Sequence, residues 1–325
     1  MENNIVDDIL DKAFRRAKEN AKSISNVKNK IIKVRKREIV RLETVKNIVL
    51  SELDKLLLRI PKEYSLSKYY KELLDIVFGL KKIRKSVIRI KFIKKFISEL
   101  FFKYKNSIKI TKDVKKMKEL RKEFYGRVAS FLKRNKEYIN FLFEVYRYYQ
   151  KLPKFKAYPT VIIAGLPNVG KSTLLKKLTG SEPKIEPYPF TTKEIMLGYI
   201  NIPYFSIQVV DTPGLLDRPF DEMNVIEKKA ILAIRHLANL IIYVIDITET
   251  CGFSIKEQIN LLNQIKKEFN IDIWIYFSKS DLFSEDDYKK VKELGEKLNL
   301  KYFLDSEELK KELIEYVKSK KELYL

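Results

Sequence analysis

The segment Gly165–Ser172, which reads GLPNVGKS, limits the possible folds of this chain more than any other feature. It fits the pattern G-x-x-x-x-G-K-[ST], follows the β-branched run TVIIA at 160–164 and precedes the helical stretch STLLKKLTG. A glycine-rich turn between a strand and a helix surrounds phosphate groups with backbone amides, and the helix dipole adds a favourable field. The second half of the chain is therefore predicted to form an α/β domain with a phosphate site.

Short β-branched runs alternate with amphipathic helical stretches after this point. The runs lie at 160–164, 195–201, 205–211, 240–246, 271–277 and 301–304. Only a short turn at 202–204 separates the second run from the third, which predicts a hairpin. The pattern as a whole indicates a mostly parallel sheet with one antiparallel edge strand and helices on both faces.

The first half of the chain has a different pattern. Residues 1–150 contain two of the nine glycines and one of the ten prolines, and this scarcity of breakers favours long helices. Apolar residues at steps of three and four between Ile83 and Tyr104 predict one buried helix face. We expect an all-α bundle over 1–150, with turns near Pro61 and at 105–111, a linker at 151–159, and the P-loop domain over 160–325.

The net charge of +23 lies in the first half. Residues 1–160 carry 43 Lys and Arg against 18 Asp and Glu, a net charge of +25, whereas the remainder carries −2. One explanation of so many charged residues is a heat-adapted surface, but such a surface usually balances Lys with Glu. The imbalance favours a polyanionic partner. No apolar run reaches the roughly 18 residues that a membrane span needs, and the single cysteine suits a reducing cytoplasm.

The phosphate loop and two later motifs supply the candidate phosphate and metal residues. Lys171 is expected to reach the β- and γ-phosphates, and the Ser172 hydroxyl to take a Mg²⁺ position. Asp211 begins DTPG after a strand and can hold Mg²⁺ through water, while the Gly214 amide can face the γ-phosphate. In the loop 188–193, YPFTTK, we favour Thr192 for the metal over Thr191; an ordinary connection is the alternative. The expected phosphate-loop contacts are Gly165, Pro167, Asn168, Val169, Gly170, Lys171, Ser172 and Thr173.

The motif FSKSD at 277–281 predicts how the base is selected. Asp281 could accept the N1 and N2 protons of guanine, and the stem of Lys279 could cover the base. Ser278 stands where the GTPase consensus has Asn or Thr, and it can still hydrogen-bond the phosphate loop. The last base-contacting loop is reduced to residues 305–307, where Ser306 is the candidate. These residues predict GTP rather than ATP.

Together these motifs resemble the translation-factor-related GTPases. PNVGKS, YPFTTK and DTPGLLDRP look like the Obg-related branch, and DITETCGFSIKEQINLL at 246–262 is similar to the nucleolar GTP-binding protein 1 family. A leading basic helical domain also matches that layout. The resemblance implies a GTP/GDP switch with Mg²⁺ that acts on ribosomal RNA in assembly of the large subunit, with an unidentified activating factor. Because the chain ends at Leu325 without the long extension of eukaryotic members, we expect an archaeal relative.

Two positions bear on turnover. Leu215 follows DTPG where many GTPases place a water-orienting glutamine, which predicts slow hydrolysis. Asn168 lies where related GTPases hold K⁺ against the phosphates, although it can equally be an ordinary loop residue. Lys171, Thr192 and Asn168 are the candidate catalytic residues.

Two other functions stay open. A membrane-surface GTPase could insert the helix tip 101–104, FFKY, among lipid headgroups. A nucleotide-locked scaffold with negligible turnover is compatible with Leu215. Cys251 has no His or acid arranged to activate it and is interpreted as a packing residue, and His236 as structural. We expect a cytoplasmic monomer.

Overall fold

The computed structural model describes residues 5–25, 28–188, 194–203 and 205–320. Thr191 and Thr192, the candidate metal-binding threonines, lie outside the described residues. The chain divides into two compact units. The first comprises Met1–Leu66 and Val77–Gln150, and the second comprises Ser67–Ile76 and Lys151–Leu325. The segment Ser67–Ile76, which the sequence analysis counts within 1–150, thus groups with the second unit.

Long helices build the first unit. They are α1 (Ile5–Lys22), α2 (Lys30–Arg59), α4 (Leu80–Ile110), α5 (Val114–Arg134) and α6 (Lys136–Lys151), while α3 (Lys68–Phe78) begins in the segment that joins the second unit. Asn29 caps α2 by accepting hydrogen bonds from the amides of Ile31 and Ile32, and Asp113 caps α5 through the amide of Lys115. Such caps satisfy amides that have no partner within the helix.

Helix α4 confirms the predicted buried face and corrects one predicted turn. Six of the seven apolar residues at this spacing are buried and Val87 is half-buried; the buried six are Ile83, Ile90, Ile93, Ile97, Leu100 and Tyr104. The turn predicted at 105–111 is wrong, because α4 continues to Ile110. Ile108 is fully buried and extends the apolar face, and the Ser107 hydroxyl donates to the carbonyl of Lys103 instead of capping a turn. The helix ends at Thr111, whose backbone is extended.

One seven-stranded sheet forms the centre of the second unit, counted over the described residues. Its strands are β1 (Thr160–Ala164), β2 (Lys184–Pro187), β3 (Glu194–Ile202), β4 (Phe205–Asp211), β5 (Leu240–Ile245), β6 (Ile273–Phe277) and β7 (Tyr302–Phe303). The order is β2-β3-β4-β1-β5-β6-β7. The strands from β4 to β7 in that order pair in parallel, and β3 pairs antiparallel with β4 and with β2. The predicted fold class is confirmed.

Strand β2 is the element that the sequence pattern did not predict. It is a four-residue, mostly exposed segment, KIEP, that pairs with β3 on its outer side. A short strand with charges and a proline is typical of a sheet edge and lacks the alternating apolar pattern. The predicted hairpin strand β3 is therefore next to the edge and not at it.

The order of the parallel strands fixes where loops can meet. Helices α7 (Lys171–Thr179), α8 (Val225–Leu232), α9 (Ile255–Glu268), α10 (Glu285–Leu298) and α11 (Ser306–Ser319) complete the unit. The carboxyl ends of β4, β1, β5 and β6 lie side by side at one edge of the sheet. They lead into DTPG, the phosphate loop, residues 246–251 and FSKSD, respectively, at the usual ligand site of parallel sheets. No helix within the described ranges is long and apolar enough to cross a membrane.

Candidate functional site

Two glycines shape the phosphate loop. Gly165 has φ +143°, and a Cβ there would lie 2.7 Å from the backbone oxygen of Val244 on β5. Gly170 has φ +99° and caps the start of α7. The amide of Gly165 donates to the carbonyl of Leu216 at 3.2 Å, which ties the loop to the segment after DTPG. Backbone turns this tight and this close to a neighbouring strand require glycine.

Lys171 is a buried cation held by the loop itself. Its side-chain Nζ donates to the carbonyls of Gly165 and Leu166, both at 2.8 Å, and the residue is only 6% exposed. Burial lowers the pKa of Lys171, an effect that the nearby charges of Asp211 and Asp217 oppose. A poorly solvated ammonium with neutral acceptors gains strongly from an anionic ligand.

Ser172 and Asp211 form a polar pair between α7 and the end of β4. The Ser172 hydroxyl donates to Asp211 Oδ2 at 2.6 Å, and Asp211 is fully buried. Its Oδ1 has no hydrogen-bond partner among the described residues. Burial raises the pKa of this carboxyl, while hydrogen bonds from Ser172 and the Thr212 amide act in the opposite direction. A buried carboxylate oxygen with spare capacity beside a hydroxyl fits a hard divalent cation such as Mg²⁺.

The DTPG turn lies against the phosphate loop. The Thr212 hydroxyl donates to the carbonyl of Ile163 on β1 at 3.1 Å. Gly214 has φ +76°, and its amide donates to the carboxylate of Asp217 at 2.5 Å. Leu215 is fully buried, so its side chain packs in the interior and does not contact solvent. Sequence reasoning did not single out Asp217, since an acidic residue after a turn has no distinctive pattern.

A second missed residue, Asp246, organises the loop after β5. Its fully buried carboxylate accepts hydrogen bonds from Lys279 Nζ at 2.6 Å, Thr250 Oγ1 at 3.0 Å and the Cys251 amide at 2.8 Å. Burial opposes ionisation of Asp246, but these bonds together with one from Thr248 lower its pKa. The signal was available as the run of acid and threonines, DITET, directly after a buried strand.

Gln258 on α9 holds the backbone at the same point. Its Oε1 accepts from the Asp246 amide and its Nε2 donates to the Asp246 carbonyl, both at 2.9 Å. Both backbone polar groups of Asp246 are thus satisfied by one buried side chain.

The FSKSD loop brings Ser278 to the phosphate loop and leaves Asp281 open. Ser278 is buried, and a Cβ added to Gly170 would lie 3.5 Å from the Cβ of Ser278. Lys279 adopts φ +56° and begins the short turn Ser280–Leu282, where Asp281 is exposed. Burial raises the pKa of Tyr276, and the charges of Asp305 and Asp281 act in the same direction.

The remaining predicted site residues lie at the loop ends. Ser306 is the first residue of α11, behind the helix cap Asp305. Asn168 is exposed at the top of the phosphate loop with φ +60°, a conformation that Asn tolerates better than most residues. Pro167 and Val169 flank it, and Thr173 follows Ser172 in the first turn of α7.

Cys251 and His236 have structural surroundings. Cys251 is buried, and burial raises the pKa of its thiol, which is the opposite of what an activated nucleophile needs. His236 Nε2 lies 2.5 Å from a carboxylate oxygen of Glu72, whose second oxygen pairs with Arg235. This cluster attaches the turn Ala233–His236 to α3 within the second unit.

A phosphate loop, a DTPG turn and an FSKSD loop along one parallel sheet edge define a P-loop GTPase. Comparison with family models supports this class, since residues 160–279 match the model described as 50S ribosome-binding GTPase. Residues 2–156 match a second model, described as NOG1 N-terminal helical domain. The chain therefore belongs to the nucleolar GTP-binding protein 1 family, and it is a GTPase.

Several known proteins are similar to this chain. An uncharacterized protein of Methanocaldococcus jannaschii is 41% identical, over 87% of this chain and 80% of that protein. Nucleolar GTP-binding protein 1 is 27% identical in Encephalitozoon cuniculi and 29% in Saccharomyces cerevisiae, over 96% and 86% of this chain. The matched part spans 59% and 44% of those two relatives. A crystal structure described as nucleolar GTP-binding protein 1 of Plasmodium falciparum is 32% identical, over 52% of this chain and 92% of that one, with a TM-score of 0.44.

Proposed function

We propose that this protein is a slow guanine-nucleotide switch in assembly of the large ribosomal subunit, which it contacts through ribosomal RNA. The observation that carries the proposal is the charge of +25 on the helical half, attached to a GTPase domain that carries −2. The names of the nucleolar relatives and of the GTPase family model support the ribosome as the setting. The single cysteine fits a reducing compartment, and we infer a cytoplasmic monomer.

At the nucleotide site, Lys171 neutralises the β- and γ-phosphates, and the amides of the loop 165–173 surround them. Ser172 and Asp211 hold Mg²⁺, with Thr192 as the third protein group. The metal supplies positive charge against the phosphates. Gly214 donates its amide to the γ-phosphate. The guanine base is bound by Asp281, with Ser278, Lys279 and Ser306 around it.

Slow turnover follows from the buried side chain of Leu215, which leaves that position without a group to orient water. Asn168 is exposed at the loop, and its side chain carries an amide oxygen of the kind that binds K⁺. A cation there would stabilise negative charge that develops on the phosphates. An activating factor, of unknown identity, would then raise the rate on the assembling subunit.

One exposed face of α4 is the best candidate for the RNA contact. It carries the exposed lysines Lys81, Lys85 and Lys91. Between and beside them, Ile88 is 65% exposed and Phe92 is 48% exposed. Cations with interleaved apolar and aromatic groups suit unpaired nucleotides, because phosphates pair with the cations and bases stack on the rings. Arg84, by contrast, pairs with both oxygens of Glu63 and offers less free charge.

The segment proposed to insert a membrane-surface GTPase among lipid headgroups is not a helix tip. The segment 101–104, taken above as a helix tip, lies inside α4 and not at its end. Phe101 and Tyr104 are buried, so only Phe102 of the aromatic side chains is exposed there. A lipid-inserting tip needs its apolar side chains free. We therefore favour RNA over a lipid surface.

The test uses the full chain, because Ser67–Ile76 packs with the second unit and a fragment of residues 1–150 would lose that support. Lys81, Lys85 and Lys91 are changed together to Glu, and binding to large-subunit ribosomal RNA is measured across salt concentrations. Each phosphate contact removed should lower the slope of log affinity against log salt by about 0.7–0.9. We expect a shallower slope and at least about 10-fold weaker binding at low salt.

A matched control changes Lys292, Lys297 and Lys311, which are exposed on α10 and α11 of the second unit, to Glu. It makes the same change in net charge away from the proposed face. Equal RNA affinity for both triple variants would contradict the proposed face. In particular, an equal loss of RNA affinity in both variants would mean that net charge, and not this face, determines binding. GTP affinity should be the same in all three proteins.

A further inference from the structure

The carboxylate of Asp217 accepts a hydrogen bond from the backbone amide of Gly214. The distance from the Gly214 nitrogen to Asp217 Oδ2 is 2.5 Å, and Gly214 is buried at φ +76°. An ionised acceptor on a backbone amide is a charge-assisted hydrogen bond, about twice as strong as a neutral one. The turn thus already presents this amide to an anion, and the anion is part of the chain.

The hydrogen bond between Gly214 and Asp217 lies next to the phosphate loop. The next residue but one after Gly214, Leu216, accepts a hydrogen bond from the Gly165 amide of the phosphate loop at 3.2 Å. Burial dominates the pKa values of Lys171 and Asp211, and the charge of Asp217 acts on both groups. The carboxylate therefore lies within electrostatic range of the groups that bind phosphate and metal.

We propose that Asp217 is an internal substitute for the γ-phosphate and that it sets the preference of the site between GDP and GTP. The inference rests on the proposed function, in which the Gly214 amide serves the γ-phosphate. A single N–H donor cannot serve two anions at full strength, and the two negative charges repel each other. GDP leaves the Asp217 bond intact, whereas GTP must displace it.

Arg218, the residue after Asp217, links this segment to another part of the second unit. Arg218 pairs with Glu227 in the first turn of α8. A backbone shift that accompanied displacement of the Asp217 carboxylate would therefore act on this ion pair. Such a shift would couple the γ-phosphate to the position of α8.

The test compares the affinities of GDP and of a non-hydrolysable GTP analogue in the unsubstituted protein, in Asp217→Ala and in Asp217→Asn. We expect the analogue to bind about 10-fold more tightly to Asp217→Ala, the factor given by the lower range for a hydrogen bond to a charged group. GDP affinity should change less than about 2-fold, which corresponds to less free energy than that hydrogen bond contributes. Asp217→Asn keeps the side-chain shape without the charge, and should lie between.

Asp286→Asn serves as the control, because it removes an equal charge from an exposed carboxylate on α10. An unchanged ratio of the two affinities in both Asp217 variants would overturn the inference. Weaker analogue binding with unchanged GDP binding would also overturn it, since Asp217 would then assist the γ-phosphate. If the unsubstituted protein binds neither nucleotide, the proposed function fails first and the inference fails with it.

Discussion

The ammonium group of Lys279 lies 2.6 Å from the carboxylate of Asp246, across the gap between the ends of β5 and β6. Asp246 is fully buried, and Lys279 also donates to Thr250 at 2.8 Å. Because Lys279 begins the turn that carries Asp281, this ion pair anchors the loop assigned to the guanine base.

Asp246→Asn should therefore lower both stability and guanine-nucleotide affinity. Hydrogen bonds to a charged group contribute about 1.5–3 kcal/mol, so we expect a loss of about 2 kcal/mol in the free energy of unfolding. The exposed Asp286→Asn change should cost less than about 0.5 kcal/mol. Denaturant unfolding and nucleotide titration of both variants provide the measurement.

The same pair predicts a pH dependence. The pKa of Asp246 is lowered in the fold, so its ionised form stabilises the protein above the unfolded pKa of about 4. This contribution is lost as the pH falls through the lowered, folded pKa. The stability difference between the unsubstituted protein and Asp246→Asn should narrow below about pH 4. A difference that stays constant across this range would mean that the charge of Asp246 does not contribute.

Asp211→Asn should separate stability from nucleotide binding. Burial raises the pKa of Asp211, so its ionised carboxylate costs stability at neutral pH in the absence of ligand. We expect the thermal midpoint of the nucleotide-free variant to rise by a few degrees, and its stabilisation by GTP with Mg²⁺ to disappear. Thermal unfolding with and without nucleotide checks both effects. A lower midpoint in the nucleotide-free variant would contradict the claim that the buried, ionised carboxylate costs stability.

Gly165 and Gly180 provide a matched pair of glycines with positive φ. A Cβ at Gly165 would lie 2.7 Å from the Val244 carbonyl oxygen, whereas at Gly180, φ +65°, nothing lies within 4 Å. Gly180→Ala should cost about 1 kcal/mol and keep nucleotide binding. Gly165→Ala should displace the loop from β5 and reduce nucleotide affinity at least about 100-fold, the effect of roughly 3 kcal/mol. Equal affinities in the two variants would refute the tight loop geometry.

The exposed amide of Asn168 predicts a dependence on the monovalent cation. Hydrolysis should be at least about 10-fold faster in K⁺ than in Na⁺ at equal ionic strength, since a fixed charge stabilises the transition state. Asn168→Ala should remove the difference, while Asn270→Ala, an exposed asparagine after α9, should keep it. Identical single-turnover rates in the two salts, with nucleotide bound, would exclude a role for K⁺.

Periodicity and motif spacing made much of this fold predictable. The run 205–211 coincides with β4, and the glycine pattern at 165–172 coincides with the turn before α7. Both depend on local rules: buried β-branched runs form strands, and only glycine fits the loop. The predicted turn at 105–111 failed because burial of Ile108 outweighed the weak helix propensity of Asn106 and Ser107.

What the sequence left open depends on contacts between distant residues. Asp246 matters because it forms an ion pair with Lys279, which is 33 positions away in the sequence. Ser67–Ile76 joins the second unit through pairs such as Tyr70 with the carbonyl of Pro153 at 2.6 Å. The predicted linker is in part anchored by that contact. No local pattern encodes such a pairing.

The proposed function requires that the basic helical unit bring this GTPase to large-subunit ribosomal RNA. Crosslinking in cells, followed by sequencing of the attached RNA, tests it most directly when the unsubstituted protein is compared with the variant in which Lys81, Lys85 and Lys91 are Glu. We expect defined large-subunit sites for the unsubstituted protein and their loss in the variant, with the Lys292, Lys297 and Lys311 control unaffected. Absence of large-subunit enrichment, or an identical crosslinking profile in all three proteins, would contradict it.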